Sequence, residues 1–224
     1  MTTVVLIRHG RSTANADGVL AGRAEGVELD DVGREQAYRL GDLLVGADIT
    51  ASYRSPSLRC QQTAALLGQP DAEVLPGLDE CDYGSWTNRK LMELSAEPLW
   101  STIQTEPSAV SFPDGEAMLD MRARAVAAIA TIRARHEEGG TVVVISHGDV
   151  IKSILSDALA QDFDDFQRLN VAPASVSIIN YGFDHPFVVC MNANSDVAAL
   201  LAAPAAPTVG GGDVSQTDTA SPTQ

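Results

Sequence analysis

Two unbroken apolar runs dominate the pattern of hydrophobic and polar positions, Val4-Val5-Leu6-Ile7 and Val142-Val143-Val144-Ile145. Runs of β-branched and aliphatic residues without polar alternation predict strands buried on both faces, as in parallel sheets. Both runs end on a histidine and a glycine, at Arg8-His9-Gly10 and at Ser146-His147-Gly148. Between them, Asp30 reads as the N-cap of a helix with Ala37, Leu40 and Leu44 on one stripe. Residues 49–52 predict a short strand. Ser55-Pro56 then supplies a cap and first helical residue, which puts Arg59 in the first turns of a helix packed through Leu58, Thr63, Ala64 and Leu67. Gly68 and Pro70 end that helix, residues 73–75 predict another strand, and Pro76-Gly77 a turn.

Residues 78–113 lack clear periodicity and contain Pro98, Pro107 and Pro113, which predicts an excursion of short helices serving as a lid. Asp114 is expected to cap a long helix reaching about residue 138, with Met118, Met121, Ala125, Ile129 and Ile132 on one stripe and Gly139-Gly140 as its stop. After His147, residues Val150, Ile151, Ile154, Leu155, Ala158 and Leu159 follow at helical spacing. Residues 175–181 and 187–191 alternate as two strands around a turn at 182–186. Strands alternating with helices predict a three-layer α/β/α sandwich around a mainly parallel sheet. One catalytic domain is expected over 1–202, with the lid insertion at 78–113. Residues 203–224 are rich in Ala, Pro, Gly and Thr and are expected to be a disordered tail.

Charge narrows the partners. Thirty Asp and Glu against fifteen Lys and Arg leave a formal charge of -15, which argues against nucleic acid or an anionic membrane surface. An anionic substrate would need a local arginine cluster working against the global field. Cys60, Cys81 and Cys190 have the spacing of neither a disulfide framework nor a zinc motif, so a reducing compartment fits. With no basic leader ahead of an apolar segment and no run of bilayer length, the expected location is cytoplasmic.

In parallel α/β sheets ligands bind outside the carboxyl ends of the strands, where Arg8, His9 and the donors of residues 10–15 would converge. Arg8 offers a planar fork for an oxyanion and neutral His9 a nucleophilic nitrogen, a pairing that suits phosphate. Further anchors follow: the R-H-G-x-S-x-x-N pattern ending at Asn15, residues 29–37 (LDDVGREQA), residues 55–64 (SPSLRCQQTA), Glu80 ahead of Tyr83-Gly84, residues 112–116 (FPDGE), and Ser146-His147-Gly148. In this order and spacing the chain resembles the histidine phosphatase superfamily, also called the phosphoglycerate mutase-like family, from Thr3 to about Met191.

The resemblance implies that His9 attacks phosphorus and becomes phosphohistidine, that Arg8, Arg59 and His147 bind the phosphoryl oxygens, and that Glu80 protonates the leaving oxygen. Asn15, Gly22, Tyr83 and Arg11 are the further expected substrate contacts. The residue types make sense independently, since phosphoryl transfer is mostly positioning and charge stabilisation that two guanidinium forks and an imidazolium can supply without a metal or other cofactor. Read singly, the same residues have plainer roles. Arg59 would be a surface helix arginine, and Glu80 a solvated acid with Asp79 and Asp82 as rival donors. Tyr83 and Trp86 would be packing residues, Asp149 an acid at a helix N-terminus, His136 a helix-end cap partner and His185 a turn residue. Cys60 and Cys81 each follow a site candidate, which raises redox regulation against the plainer reading of small core residues.

No basic residue lies between Lys90 and Arg122, whereas Glu93, Glu97, Glu106, Asp114, Glu116 and Asp120 are acidic. The second anion clamp that the resemblance associates with mutases is therefore missing. Arg11, Arg23, Arg89 and Lys90 remain as cations near the mouth and would favour a substrate with an extra carboxylate or phosphate. The reading is a metal-independent phosphomonoesterase acting on a small phosphorylated metabolite, with a homodimer allowed. Its alternatives are a cofactor-dependent phosphoglycerate mutase and a non-catalytic phospho-ligand binding module, against which His9, Glu80 and His147 argue. The acidic segment and Asp149 also resemble a bacterial branch whose members are named as phosphomutases.

Overall fold

The computed structural model describes residues 1–182 and 184–194; the expected tail at 203–224 and the end of the expected domain lie outside them. Strand β1 (Thr2–Arg8) leads into the single turn α1 (Thr13–Ala16) and helix α2 (Asp31–Leu44). Strand β2 (Ile49–Arg54), helix α3 (Leu58–Leu66) and the short β3 (Glu73–Val74) follow. The excursion carries α4 (Leu91–Leu94) and α5 (Pro98–Thr105), with 3-10 turns at Gly84–Trp86 and Pro107–Ala109. The chain then runs through α6 (Met118–Arg135), β4 (Gly140–Ser146), α7 (Gly148–Ala158), a 3-10 turn at Phe163–Arg168, β5 (Val176–Tyr181) and β6 (Phe187–Ala193).

The strands form one sheet in the order β3-β2-β4-β1-β5-β6. β3, β2, β4 and β1 are parallel, and β5 and β6 are added antiparallel at the β1 side. Alternate residues of the two apolar runs enter separate cores. Val4, Leu6, Val142 and Val144 pack with α6 and α7, and Val5, Ile7, Val143 and Ile145 pack with Leu40 of α2 and Ala64 of α3. A strand covered on both faces has no polar side to alternate with, which is the physical origin of the unbroken runs and gives the α/β/α sandwich. Each such fully buried aliphatic side chain stabilises the fold by about 1.5–3 kcal/mol relative to exposure.

The excursion joins this core: Leu78, Cys81, Tyr83, Leu91, Leu94, Ile103 and Phe112 are fully or almost fully buried in the cluster beneath α6 and α7. Two expected caps are corrected. Ser55 does not cap α3, which starts at Leu58 behind Ser57; its Oγ donates to Asp79 Oδ1 at 3.0 Å and meets His147 Nε2 at 2.8 Å. Asp114 does not cap α6, which starts at Met118 behind Ala117 and ends at Arg135. Asp114 lies at φ +59 in a tight turn held over the excursion, with Ser85 N donating to Pro113 O and Glu116 N to Asp82 O. The stripe itself is as expected, with Met118, Met121, Ala125, Ile129 and Ile132 buried.

Candidate active site

The β1–β4 register pairs Arg8 with Ser146, so the two histidine motifs leave neighbouring strands at one sheet edge. His9 N donates to Ser146 O at 3.0 Å, and the rings of His9 and His147 stand 5.2 Å apart, edge to face. β2 is the next strand, and Ser55 N donates to Ile145 O as it ends, which delivers the first turn of α3 and Arg59 to the same edge.

The other sequence anchors lock the loop after β1. Asp30 caps α2 by accepting Gly33 N on Oδ1, and its Oδ2 takes Arg11 Nε at 2.7 Å. Gly33 lies so close to Arg11 that a Cβ there would run into the Arg11 backbone. Gln36, Gln62 and Thr63 accept from the backbone N–H groups of Arg11, Leu29 and Gly10. Ser12 and Asn15 form a capping box.

His9 is almost fully buried, and its Nδ1 stands 2.7 Å from Gly10 O. A carbonyl oxygen can only accept, so Nδ1 carries the proton and Nε2 the lone pair, towards which Arg59 Nε donates at 3.2 Å. Burial first, then the charges of Arg59 and Arg8, holds the His9 pKa well below the ordinary imidazole value. His147 is held down likewise, by burial and then by Arg59, His9 and Arg8. Arg59 Nη2 donates to His147 Nδ1 at 3.0 Å, which leaves Nε2–H to donate to Ser55 Oγ and, through it, to Asp79.

Arg59 also donates to Gly22 O at 2.8 Å, while its Nη1 is buried and has no hydrogen-bond partner among the described residues. Arg8 is buried, with Nη1 donating to Val171 O at 2.7 Å. Of the three neighbouring acids, Glu80 alone lines the cavity that His9 and Arg59 share. It is almost fully buried, with Oε1 accepting Cys81 N and Oε2 3.8 Å from His147 Nδ1. Burial, followed by the negative charge of Asp149, raises its pKa to about 7, against smaller opposing effects of Arg59, Cys81 N–H and Arg8. Asp79 is turned to Ser55 and to its own chain, and the half-exposed Asp82 accepts Gly84 N.

The cavity measures about 300 Å3, counted out to solvent. Its lining comprises the polar His9, Ser12, Asn15, Arg59 and Glu80 and the ring of Tyr83, together with Val19, Leu20, Ala21, Gly22 and Leu91. Of the residues expected here, Arg8 and His147 stand behind this lining, tied to Val171 and Arg59. Arg11 points to Asp30 and is no part of it. Trp86 packs on Phe112, and His136 Nε2 meets Tyr53 Oη at 2.8 Å. Cys60 and Cys81 are fully buried, with thiol pKa values pushed up by burial, to about 11 for Cys60.

Two buried arrangements have no counterpart in the sequence reading. Tyr83 Oη donates to Asp149 Oδ2 at 2.9 Å, and Lys152 reaches Asp149 at 3.4 Å and Gln167 at 3.0 Å, so a carboxylate and an ammonium lie beneath Glu80. Lys152 among apolar residues of one amphipathic helix was the available signal. Arg124, from α6, donates to the carbonyls of Gly77, Asp79 and Glu80 and is clamped by Glu116. Among the described residues no group of His, Cys, Asp and Glu side chains is arranged to hold a metal ion, and no helix is long and apolar enough to cross a membrane.

Comparisons with known proteins identify the family. Residues 4–194 match the family model described as the histidine phosphatase superfamily (branch 1). An acid phosphatase of Mycobacterium tuberculosis is 31% identical over 185 residues, covering 81% of this chain and 87% of that protein. A 2,3-bisphosphoglycerate-dependent phosphoglycerate mutase of Rhizobium etli is 29% identical over 169 residues, covering 69% and 78%. The solved structure of YhfR from Bacillus stearothermophilus superposes with a TM-score of 0.80 at 27% identity, covering 87% of this chain and 98% of that one.

Proposed function

The chain belongs to the histidine phosphatase superfamily, branch 1, and is a phosphoric monoester hydrolase of that type; from this premise we propose that it hydrolyses a small phosphorylated metabolite through a phosphohistidine on His9. The observation that carries the mechanism is the 2.7 Å contact between His9 Nδ1 and Gly10 O, which assigns the proton to Nδ1 and leaves the Nε2 lone pair beside Arg59 in the cavity.

Nε2 attacks phosphorus, and the bond from phosphorus to the ester oxygen breaks. The departing alkoxide takes the proton of Glu80, whose pKa of about 7 keeps about half of it protonated at pH 7, where an ordinary glutamate is almost fully ionised. Glu80, now a carboxylate, takes a proton from water as that water attacks the phosphohistidine, which frees phosphate and restores His9 and protonated Glu80. Arg59 Nη1, buried and without a partner, and the Nδ2 group of Asn15, whose Oδ1 is occupied by Ser12, are the donors available to phosphoryl oxygens. Arg8 adds its charge from behind. A bound dianion favours protonation of His147, whose Nε2–H is already committed to Ser55 and Asp79. Such preorganised donors supply the charge stabilisation that phosphoryl transfer needs.

The test is phosphate release from p-nitrophenyl phosphate with a chelator present, for wild type and His9→Ala, together with acid quenching to trap labelled enzyme. Chelator-resistant release and an acid-labile phosphoenzyme, both lost in His9→Ala, are expected. Full activity in His9→Ala sinks the nucleophile assignment.

A further inference from the structure

The walls of the cavity describe the alcohol that leaves. Beyond the phosphoryl end, the lining is Val19, Leu20, Ala21 and Leu91, with the ring of Tyr83 beside them. Among the described residues its only side-chain cation is Arg59, at the reacting phosphorus. The four basic residues that a second anionic group would need are already committed. Arg11 is paired with Asp30 at 2.7 Å and Arg89 with Glu97 at 2.8 Å. Arg23 is held by Glu116 at 2.9 Å and by the Glu80 carbonyl, with Asp79 and Asp82 within 3.8 Å. Lys90 Nζ donates to Asp17 O at 2.8 Å.

Recruiting any of these cations would give up the contact it already makes, which offsets part of what a second anion could gain. The net charge of -15 opposes a further negative charge on the substrate as well. A carboxylate or second phosphate against the Val19–Leu91 wall would shed part of its hydration with no cation there to replace it, a cost that an apolar group does not meet.

We infer that the substrate is a phosphomonoester of a small, uncharged and mainly apolar alcohol, and that esters carrying a carboxylate or second phosphate are selected against. This rests on the phosphatase reading above and runs counter to the mutase and phosphoserine phosphatase names found among the relatives. It also replaces the expectation that Arg11, Arg23, Arg89 and Lys90 favour doubly anionic substrates.

The test compares kcat/KM on matched pairs: phenyl phosphate with 3-carboxyphenyl phosphate, and butyl phosphate with L-phosphoserine and 3-phosphoglycerate. At least a tenfold preference for the uncharged member of each pair is expected. Equal or better turnover of the charged members, with release still dependent on His9, overturns this inference and leaves the phosphatase reading standing; no release from any ester overturns both. Val19→Arg, at a partly exposed wall position, gives a second reading. It should narrow the gap between phenyl and 3-carboxyphenyl phosphate by raising turnover of the charged ester, and a gap unchanged in a folded Val19→Arg protein counts against the wall as its cause.

Discussion

Asp149 is fully buried under the acid at Glu80, and its charge is the largest influence, after burial itself, that keeps Glu80 protonated. The rise from 4.5 to about 7 corresponds to about 3 kcal/mol between the two protonation states. Replacing Asp149 with Asn removes the negative charge while keeping an acceptor for Tyr83 Oη, and should lower the Glu80 pKa by on the order of one pH unit, the usual effect of losing a close buried like charge. The general acid is active when protonated, so the sign is fixed: the high-pH limb of kcat/KM must move to lower pH. At pH 7.5 the protonated fraction falls from about a quarter to about 3%, a loss of roughly eightfold, whereas at pH 5.5 the loss is only about 1.3-fold. Ionisation of the substrate phosphate is common to both proteins and cancels in the comparison. Lys152 would be left buried without its carboxylate, so the double variant Asp149→Asn/Lys152→Met should recover stability while shifting in the same direction by a smaller amount, because the Lys152 charge is lost as well. The assay is the pH profile of p-nitrophenyl phosphate hydrolysis between pH 4.5 and 9. Superimposable profiles, or a shift to higher pH, in a variant that melts like wild type would refute the assignment of Glu80 as the acid tuned by Asp149.

Arg124→Ala removes the donors to the Gly77, Asp79 and Glu80 carbonyls and leaves Glu116 to Arg23 and the Asp82 N–H, so a loss of about 2–4 kcal/mol in urea unfolding is expected, with kcat reduced about tenfold and KM little changed. A loss under about 0.5 kcal/mol would show that this clamp does not hold the acid loop. Gly33→Ala should destabilise, although Ala is the better helix former by about 1 kcal/mol, because the new methyl meets the Arg11 backbone; a stabilised protein would contradict that close approach. Iodoacetamide at pH 8 should modify native protein at Cys190 alone among the three cysteines, read by mass spectrometry, since Cys60 and Cys81 are buried with raised thiol pKa values. Alkylation of either buried cysteine with loss of activity would revive redox regulation.

The sequence by itself determined the central strands and the placing of a histidine and a glycine at the end of each. Residues 4–7 and 142–145 are apolar without interruption because both faces of β1 and β4 are covered, a demand that is local, one residue at a time. The Asp30 cap and the stripe on α6 were legible for the same reason, since capping and helical periodicity act within a few residues. Ser55 and Asp114 looked like caps by the same local rules and are not, because each is drawn into contacts made across the fold, Ser55 to His147 and Asp79, Asp114 into the turn over Asp82 and Gly84.

The resemblance pointed to Glu80, but only the tertiary structure shows that, of three acids in four residues, it is the one turned into the cavity. It alone joined Tyr83 to Asp149 and Lys152, 66 positions apart for the first pair. It also showed that the cations the sequence offers for a second anion are each bound to an acid or a carbonyl of their own chain. Protonation and availability depend on burial and on charges brought close by folding, and these are long-range quantities that no spacing along the chain encodes.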